Sequence, residues 1–156
     1  MVTQSGPHAV QRLYDAFRAG DGDGMQDCYA PGATFRDPVF ELRGADRIGA
    51  MWKMLLAGGS DLEVEASGIT SDGVTGSAHW EARYTFSTGR RVHNVIDATF
   101  RLEDDRIALH VDRFGFWRWS RQALGAPGLL LGWSPVVRGK VQRTAARSLD
   151  RFQAGS

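Results

Sequence analysis

The apolar residues change period once, near residue 60, and that change decides the fold class. Before it the spacing is helical. Val10, Leu13, Tyr14 and Phe17 recur at i, i+3, i+4 and i+7, one stripe of a helix that Ser5 can cap, Pro7 can open and Gly20 can stop. Residues 23–29 predict a short second helix with Met25, Cys28 and Tyr29 facing inward, and Pro31-Gly32 breaks the chain after it. Residues 33–40 read as a strand or extended arm interrupted by Asp37-Pro38. Ile48, Met51, Trp52 and Leu55 form a third helical stripe that Gly58-Gly59 ends. Beyond it, residues 62–69, 74–86, 92–102 and 107–117 read as strands. The intervening turns carry Ser71-Asp72-Gly73, Ser87-Thr88-Gly89 and Glu103-Asp104-Asp105. Three helices followed by an antiparallel meander make an α+β fold with helices packed on one sheet face.

A tail follows the last strand. Gly125-Ala126-Pro127-Gly128 and the apolar Leu129 to Leu131 lead to Ser134-Pro135, a cap followed by proline at the first helical position. Val137, Val141, Ala145, Leu149 and Phe152 stripe one face of a final helix. Lys140, Arg143, Arg147 and Arg151 line another.

Composition narrows the class. A chain of 156 residues suits one core, and 42% hydrophobic with 24% charged residues is ordinary for a globular protein. Nineteen Lys and Arg against 18 Asp and Glu give no reason to expect nucleic acid. Seven of those bases follow Gly115 against one acid, Asp150, so an acidic body carries a basic tail, most simply a solvated helix face. The lone Cys28 allows no internal disulfide, there is no signal pattern at Met1, and no apolar stretch is long enough to span a bilayer. A cytoplasmic protein without a membrane segment is expected.

The strands hold the candidate chemistry. Alternation puts His79, Glu81 and Arg83 on one face of their strand, opposite Trp80, Ala82, Tyr84 and Phe86. His93, Val95, Asp97 and Thr99 share a face opposite Asn94, Ile96, Ala98 and Phe100. His110 and Asp112 share a face with Phe114 and Phe116. Grouping the ionisable residues together gives one polar sheet face and one apolar face. Two arrangements satisfy this pattern. Either the polar face meets solvent while the apolar face packs on the helices, or the polar face lines a cavity while the apolar face packs on a second subunit. Three His and three acids can move protons near neutral pH when burial and neighbours separate their pKa values. No ligand spacing for a metal, glycine-rich phosphate loop or nucleophile elbow is present, and no cofactor is implied.

The stretch Tyr29-Ala30-Pro31-Gly32-Ala33-Thr34-Phe35-Arg36-Asp37-Pro38 resembles the segment of ketosteroid isomerases that ends in Asp-Pro. Ile96-Asp97-Ala98-Thr99-Phe100 resembles their Ile-Asp-x-Phe strand, with the Phe one residue later. The run from His110 to Gly125, with Asp112 and Ser120-Arg121-Gln122-Ala123-Leu124-Gly125, resembles the SnoaL-like pattern. The chain is thereby identified as a member of the nuclear-transport-factor-2-like superfamily. The resemblance implies a cone-shaped curved antiparallel sheet around N-terminal helices over residues 1–120. Residues 121–156 are then a C-terminal extension of the same domain that covers the cone or a neighbouring subunit.

It also implies roles. Asp37 is the general base, Asp97 a protonated hydrogen-bond donor to an oxyanion, and Asp112 the acid–base group of the SnoaL-like pattern. The Asp–Arg–Asp set of limonene epoxide hydrolase falls on Asp112, His79 and Glu81, so its arginine is a histidine here. Tyr14, Phe17, Trp52, His93, His110 and Phe114 are the expected pocket lining. The isomerase's tyrosine position falls on Leu13, and Tyr14 lies about 100° further round the helix, which argues against a steroid isomerase. The expected protein binds a small hydrophobic molecule, acts by acid–base chemistry or as a non-catalytic binding or assembly module, and dimerises through the outer sheet face.

Overall fold

The computed structural model describes residues 8–58, 61–126 and 134–155. Met1, Ser5, Pro7, Gly59, Pro127, Gly128 and Leu129 to Leu131, named above, lie outside them. Two helices lead the chain: α1 (Ala9–Arg18), whose first turn is capped by His8, and α2 (Gly22–Asp27), capped by Asp21. Strands β1 (Tyr29–Arg36) and β2 (Glu41–Arg43) follow, then α3 (Ala45–Gly58). The meander is β3 (Glu63–Ser71), β4 (Thr75–Thr85), β5 (Arg91–Glu103) and β6 (Arg106–Arg113). Among the described residues, α4 (Phe116–Leu124) and α5 (Pro135–Ala154) follow.

The six strands form one curved, unclosed sheet in the order β2-β1-β6-β5-β4-β3. Each neighbouring pair is antiparallel except β1 and β6, which run parallel. That parallel pair departs from the expected all-antiparallel sheet. It arises because β1 precedes α3 and the whole meander, so the chain returns beside β1 only at its last strand. Tyr29 also departs from its expected place in the second helix. It opens β1, and Pro31 and Gly32 are absorbed by a register shift against β6 between Tyr29 and Thr34. A strand can carry a proline where its missing N–H interrupts no ladder bond.

The three N-terminal helices cover the concave face. Leu13, Tyr14 and Phe17 of α1, Met25 of α2 and Ile48, Met51 and Trp52 of α3 are buried against Trp80, Ala82, Ile96, Ala98 and Phe100 of the sheet. Phe17 packs on both Trp52 and Trp80, with ring centroids 5.1 and 5.4 Å apart. The sheet's apolar face therefore packs on helices of its own chain, which corrects the expectation that it seats a second subunit. Helix α5 packs back on α3 through the Arg47–Asp150 ion pair (2.9 Å) and the fully buried Leu149.

Candidate functional site

Which side chains meet on a sheet face depends on the phase between strands as well as on alternation within each. Across β4 and β5, His79 stands opposite Asp97, Glu81 opposite Val95 and Arg83 opposite His93. Across β5 and β6, Asp97 stands opposite Arg113, Ala98 opposite Asp112 and Phe100 opposite His110. Directly opposed residues share a face. His110 and Asp112 thus belong with Trp80, Ala98 and Phe100 on the concave side. His79, Glu81, His93 and Asp97 lie on the convex side. The expected single polar face is divided between the two sides of the sheet.

On the concave side a hydrogen-bonded chain runs through the interior. Trp52 Nε1–H donates to Tyr29 Oη (3.0 Å), and Tyr29 Oη lies 2.8 Å from His110 Nδ1. His110 Nε2 lies 2.8 Å from Asp112 Oδ1, which also accepts from Trp80 Nε1–H (3.3 Å). His110 is 1% exposed and Asp112 3%. A carboxylate this deep needs such donors, because an unpaired buried charge is costly. Phe100, Phe35 and Trp52 surround the imidazole, with Phe100 closest at 4.3 Å between centroids.

Asp37 approaches the same region from the loop between β1 and β2. Its Oδ1 accepts from the backbone N–H of Val39 (2.7 Å) and of Phe40 (2.6 Å). Asp-Pro starts this turn, and the aspartate side chain closes it. Burial pushes the carboxyl up to about 6. The two N–H donors pull it down, the Asp112 charge adds to the rise, and His110 opposes it. Proximity to Asp112 and His110 therefore acts on Asp37, although the two carboxyls stand on separate elements.

Tyr14 completes the group. Its hydroxyl is the one buried side-chain polar atom among the described residues that lacks a hydrogen-bond partner. Burial first, then the Asp112 charge, then Tyr29 push it well above the ordinary phenol range, so it stays a hydrogen-bond donor. Its ring lies 6.3 Å from those of Trp80 and Phe100. Nearer the Asp37 loop, Tyr84 Oη accepts from Trp119 Nε1–H (2.9 Å), and Val39, Phe86, Phe114 and Phe116 make an apolar rim with Val141 of α5. Gln142 of α5 donates to the Pro38 carbonyl (3.0 Å), so the C-terminal helix contacts the turn that carries Asp37.

The convex group is a surface ladder. His79 Nδ1 lies 2.9 Å from Asp97 Oδ1 and its Nε2 3.4 Å from Glu81. Glu81 in turn lies 2.6 Å from His93 Nε2. Asp97 has 77% of its side chain exposed. Its hydrogen bond, and then that of Glu81, raise His79. The His93 hydrogen bond lowers Glu81. Asp97 is thus an exposed side chain on the convex face, apart from the concave groups beside which the resemblance puts it. The same correction removes His93 from the pocket wall and His79 and Glu81 from any set with Asp112. Among the described residues no group of three His, Cys, Asp or Glu is placed to hold a metal ion.

Asp37, Asp112, His110, Tyr14, Phe17, Trp52 and Phe114 thus lie on the concave side or its rim, with Tyr14, Phe17 and Trp52 packed in the core. Three further residues were missed: Tyr29, Trp80 and Tyr84. Their signal was chemical, since tyrosine and tryptophan on a buried face carry an O–H or N–H that needs a partner.

The comparisons agree with this architecture. The model of the SnoaL-like domain family matches residues 10–110, and the chain belongs to that family. A structure of an LEH-like epoxide hydrolase from M. tuberculosis superposes with a TM-score of 0.61 at 22% identity, covering 83% of this chain and 92% of that one. A putative polyketide cyclase from Xanthomonas campestris gives 0.61 at 18% identity, covering 73% and 93%. A hypothetical protein with a ketosteroid isomerase-like fold from Catenulispora acidiphila, in complex with trimethylamine, gives 0.65 at 15% identity, covering 80% and 97%. At these identities the likeness is one of fold. No curated protein matches the chain. Among the described residues no helix is long and apolar enough to cross a membrane.

Proposed function

We propose that this chain is an acid–base enzyme for a small hydrophobic molecule bound on the concave side of the sheet, with Asp37 as the group that takes and returns the proton. The observation that carries this is the Asp37 carboxyl: it is held on a tied turn, pushed to about 6 by burial, and acted on by the Asp112 charge. A proton-transfer group works best with a pKa near the working pH. Its Oδ1 is occupied by the turn, so Oδ2 is the oxygen that meets substrate.

The other groups divide the remaining work. Asp112, receiving N–H donors from His110 and Trp80, is a fixed acceptor that also holds Asp37 up. The unpartnered Tyr14 hydroxyl donates to the oxygen on which charge develops, an interaction of the oxyanion type. The buried and half-buried aromatic side chains Trp80, Tyr84 and Phe114 near these groups favour an apolar substrate with one polar atom. Isomerisation of an unsaturated ketone, aldol-type ring closure, dehydration and epoxide opening all need this equipment.

The test is a panel containing a β,γ-unsaturated ketone, a diketone able to cyclise, a β-hydroxy ketone and an alkyl epoxide. It is run with the wild type and with Asp37→Asn and Asp112→Asn. Turnover of at least one compound, lowered by about 10²-fold or more in Asp37→Asn, supports the reading. Turnover equal in all three proteins contradicts it.

A further inference from the structure

Tyr29 and Trp52 exchange no proton with a substrate in this scheme, yet both place buried polar atoms beside His110. They come from separate elements, β1 and α3, and are 2% and 3% exposed. The hydrogen inventory along the chain permits one complete assignment. An indole N–H only donates, so Tyr29 Oη accepts from Trp52 at 3.0 Å. The Asp112 carboxylate only accepts, so His110 Nε2, 2.8 Å away, carries a hydrogen. If Nδ1 is bare, it accepts the Tyr29 hydrogen over 2.8 Å, and every hydrogen has an acceptor. With the hydrogen on Nδ1 instead, a bare Nε2 would face the carboxylate. Tyr29 Oη would accept twice while its own hydrogen found no acceptor. Burial pushes the Tyr29 hydroxyl well above the ordinary phenol range, so it retains the hydrogen it donates.

We propose that Tyr29, anchored by Trp52, is a positioning residue that fixes His110 with its hydrogen on Nε2 and thereby presents Asp112 to the concave site in one orientation. The ring has little room to do otherwise. It lies edge-on to Phe35 at 4.9 Å, tilted on Phe100 at 4.3 Å, and near-parallel to Trp52 at 6.1 Å. The partner on one imidazole nitrogen decides what the other offers. Removing such a supporting hydrogen bond typically costs about 10–100-fold in the function of the group it orients in metal sites, where it has been most studied. The catalytic consequence rests on the reading of Asp112 given above, whereas the placement of the hydrogen does not.

The test uses the full-length 15N-labelled chain and two-bond correlations from the imidazole C–H protons at pH 7. In the wild type, His110 Nδ1 is expected to resonate as an unprotonated nitrogen and Nε2 as a protonated one. In Tyr29→Phe the two nitrogens are expected to move towards averaged values, the Trp52 indole N–H signal to shift, and kcat to fall about tenfold or more with KM little changed. A wild-type His110 with its hydrogen on Nδ1 overturns the proposal, and this reading holds even if Tyr29→Phe fails to fold. A folded Tyr29→Phe that keeps the wild-type nitrogen pattern overturns it equally. If Asp112→Asn leaves turnover intact, the role given to Asp112 falls while the nitrogen spectrum still decides the positioning.

Discussion

Asp112 stands directly opposite Ala98 across the β5–β6 ladder, so it points into the concave face while Asp97, one residue earlier than Ala98, points out. One register position therefore separates a carboxylate 3% exposed from one whose side chain is 77% exposed. The two aspartates that the resemblance puts in one pocket lie on opposite faces of the sheet.

The Asp37 carboxyl has a folded pKa raised above that of the unfolded chain, so its effect on stability is least unfavourable below about pH 4 and worsens as pH rises through about 6. Asp37→Asn keeps an oxygen for the Val39 and Phe40 N–H groups and removes the charge from a half-buried position. Thermal unfolding is expected to show the variant about 1–3 kcal/mol more stable than wild type at pH 8 and equal to it near pH 4. A variant less stable at pH 8 would show that the charge is compensated in the fold.

Tyr14→Phe removes a hydroxyl that makes no hydrogen bond to any described residue. Removing an unsatisfied buried group is expected to leave denaturant stability unchanged or raise it by about 1 kcal/mol. Turnover is expected to fall about 10²-fold under the proposal that this hydroxyl donates to the reacting molecule. A loss of stability with turnover preserved would assign the hydroxyl a structural role.

Asp112→Asn replaces the carboxyl that bonds His110 and Trp80 with an amide at a buried position. Urea titration is expected to show a loss of about 1–3 kcal/mol, the range for charge-assisted hydrogen bonds. The same substitution is expected to lower the pKa of Asp37, since the Asp112 charge contributes to its rise. Carbon-detected titration of Asp37 in the variant checks this sign.

On the convex face, His79→Ala and Asp97→Asn are expected to leave turnover within about twofold of wild type, since exposed ion pairs contribute little. His79 is raised mainly by Asp97, so this pair contributes at low pH, and the contribution fades as pH rises through the folded His79 value. A large kinetic loss in either variant would place the reacting molecule on the other side of the sheet.

The element order, the helical stripes of α1 and α3, and the hairpins were legible because each follows from local spacing and turn residues. Asp37 was legible through Asp-Pro and the resemblance around it. Its burial was not, because that depends on β1 pairing with β6 across a span of the whole meander. Alternation assigned the faces of each strand correctly but not their relative phase. Grouping polar residues on one face puts His110 and Asp112 with His79 and Asp97, which the strand phase separates. In β6 the polar pair is the buried one, held by hydrogen bonds to Tyr29 and Trp80, whose positions a single strand's pattern does not contain.

The most direct test of the central claim is a carbon-detected pH titration of the Asp37 side-chain carboxyl in the wild-type protein. A midpoint near 6 is the predicted result and identifies Asp37 as a proton-transfer group at neutral pH. An ordinary carboxylate midpoint near 4 would contradict the account, leaving Asp37 as a turn residue and the concave face without its acid–base group.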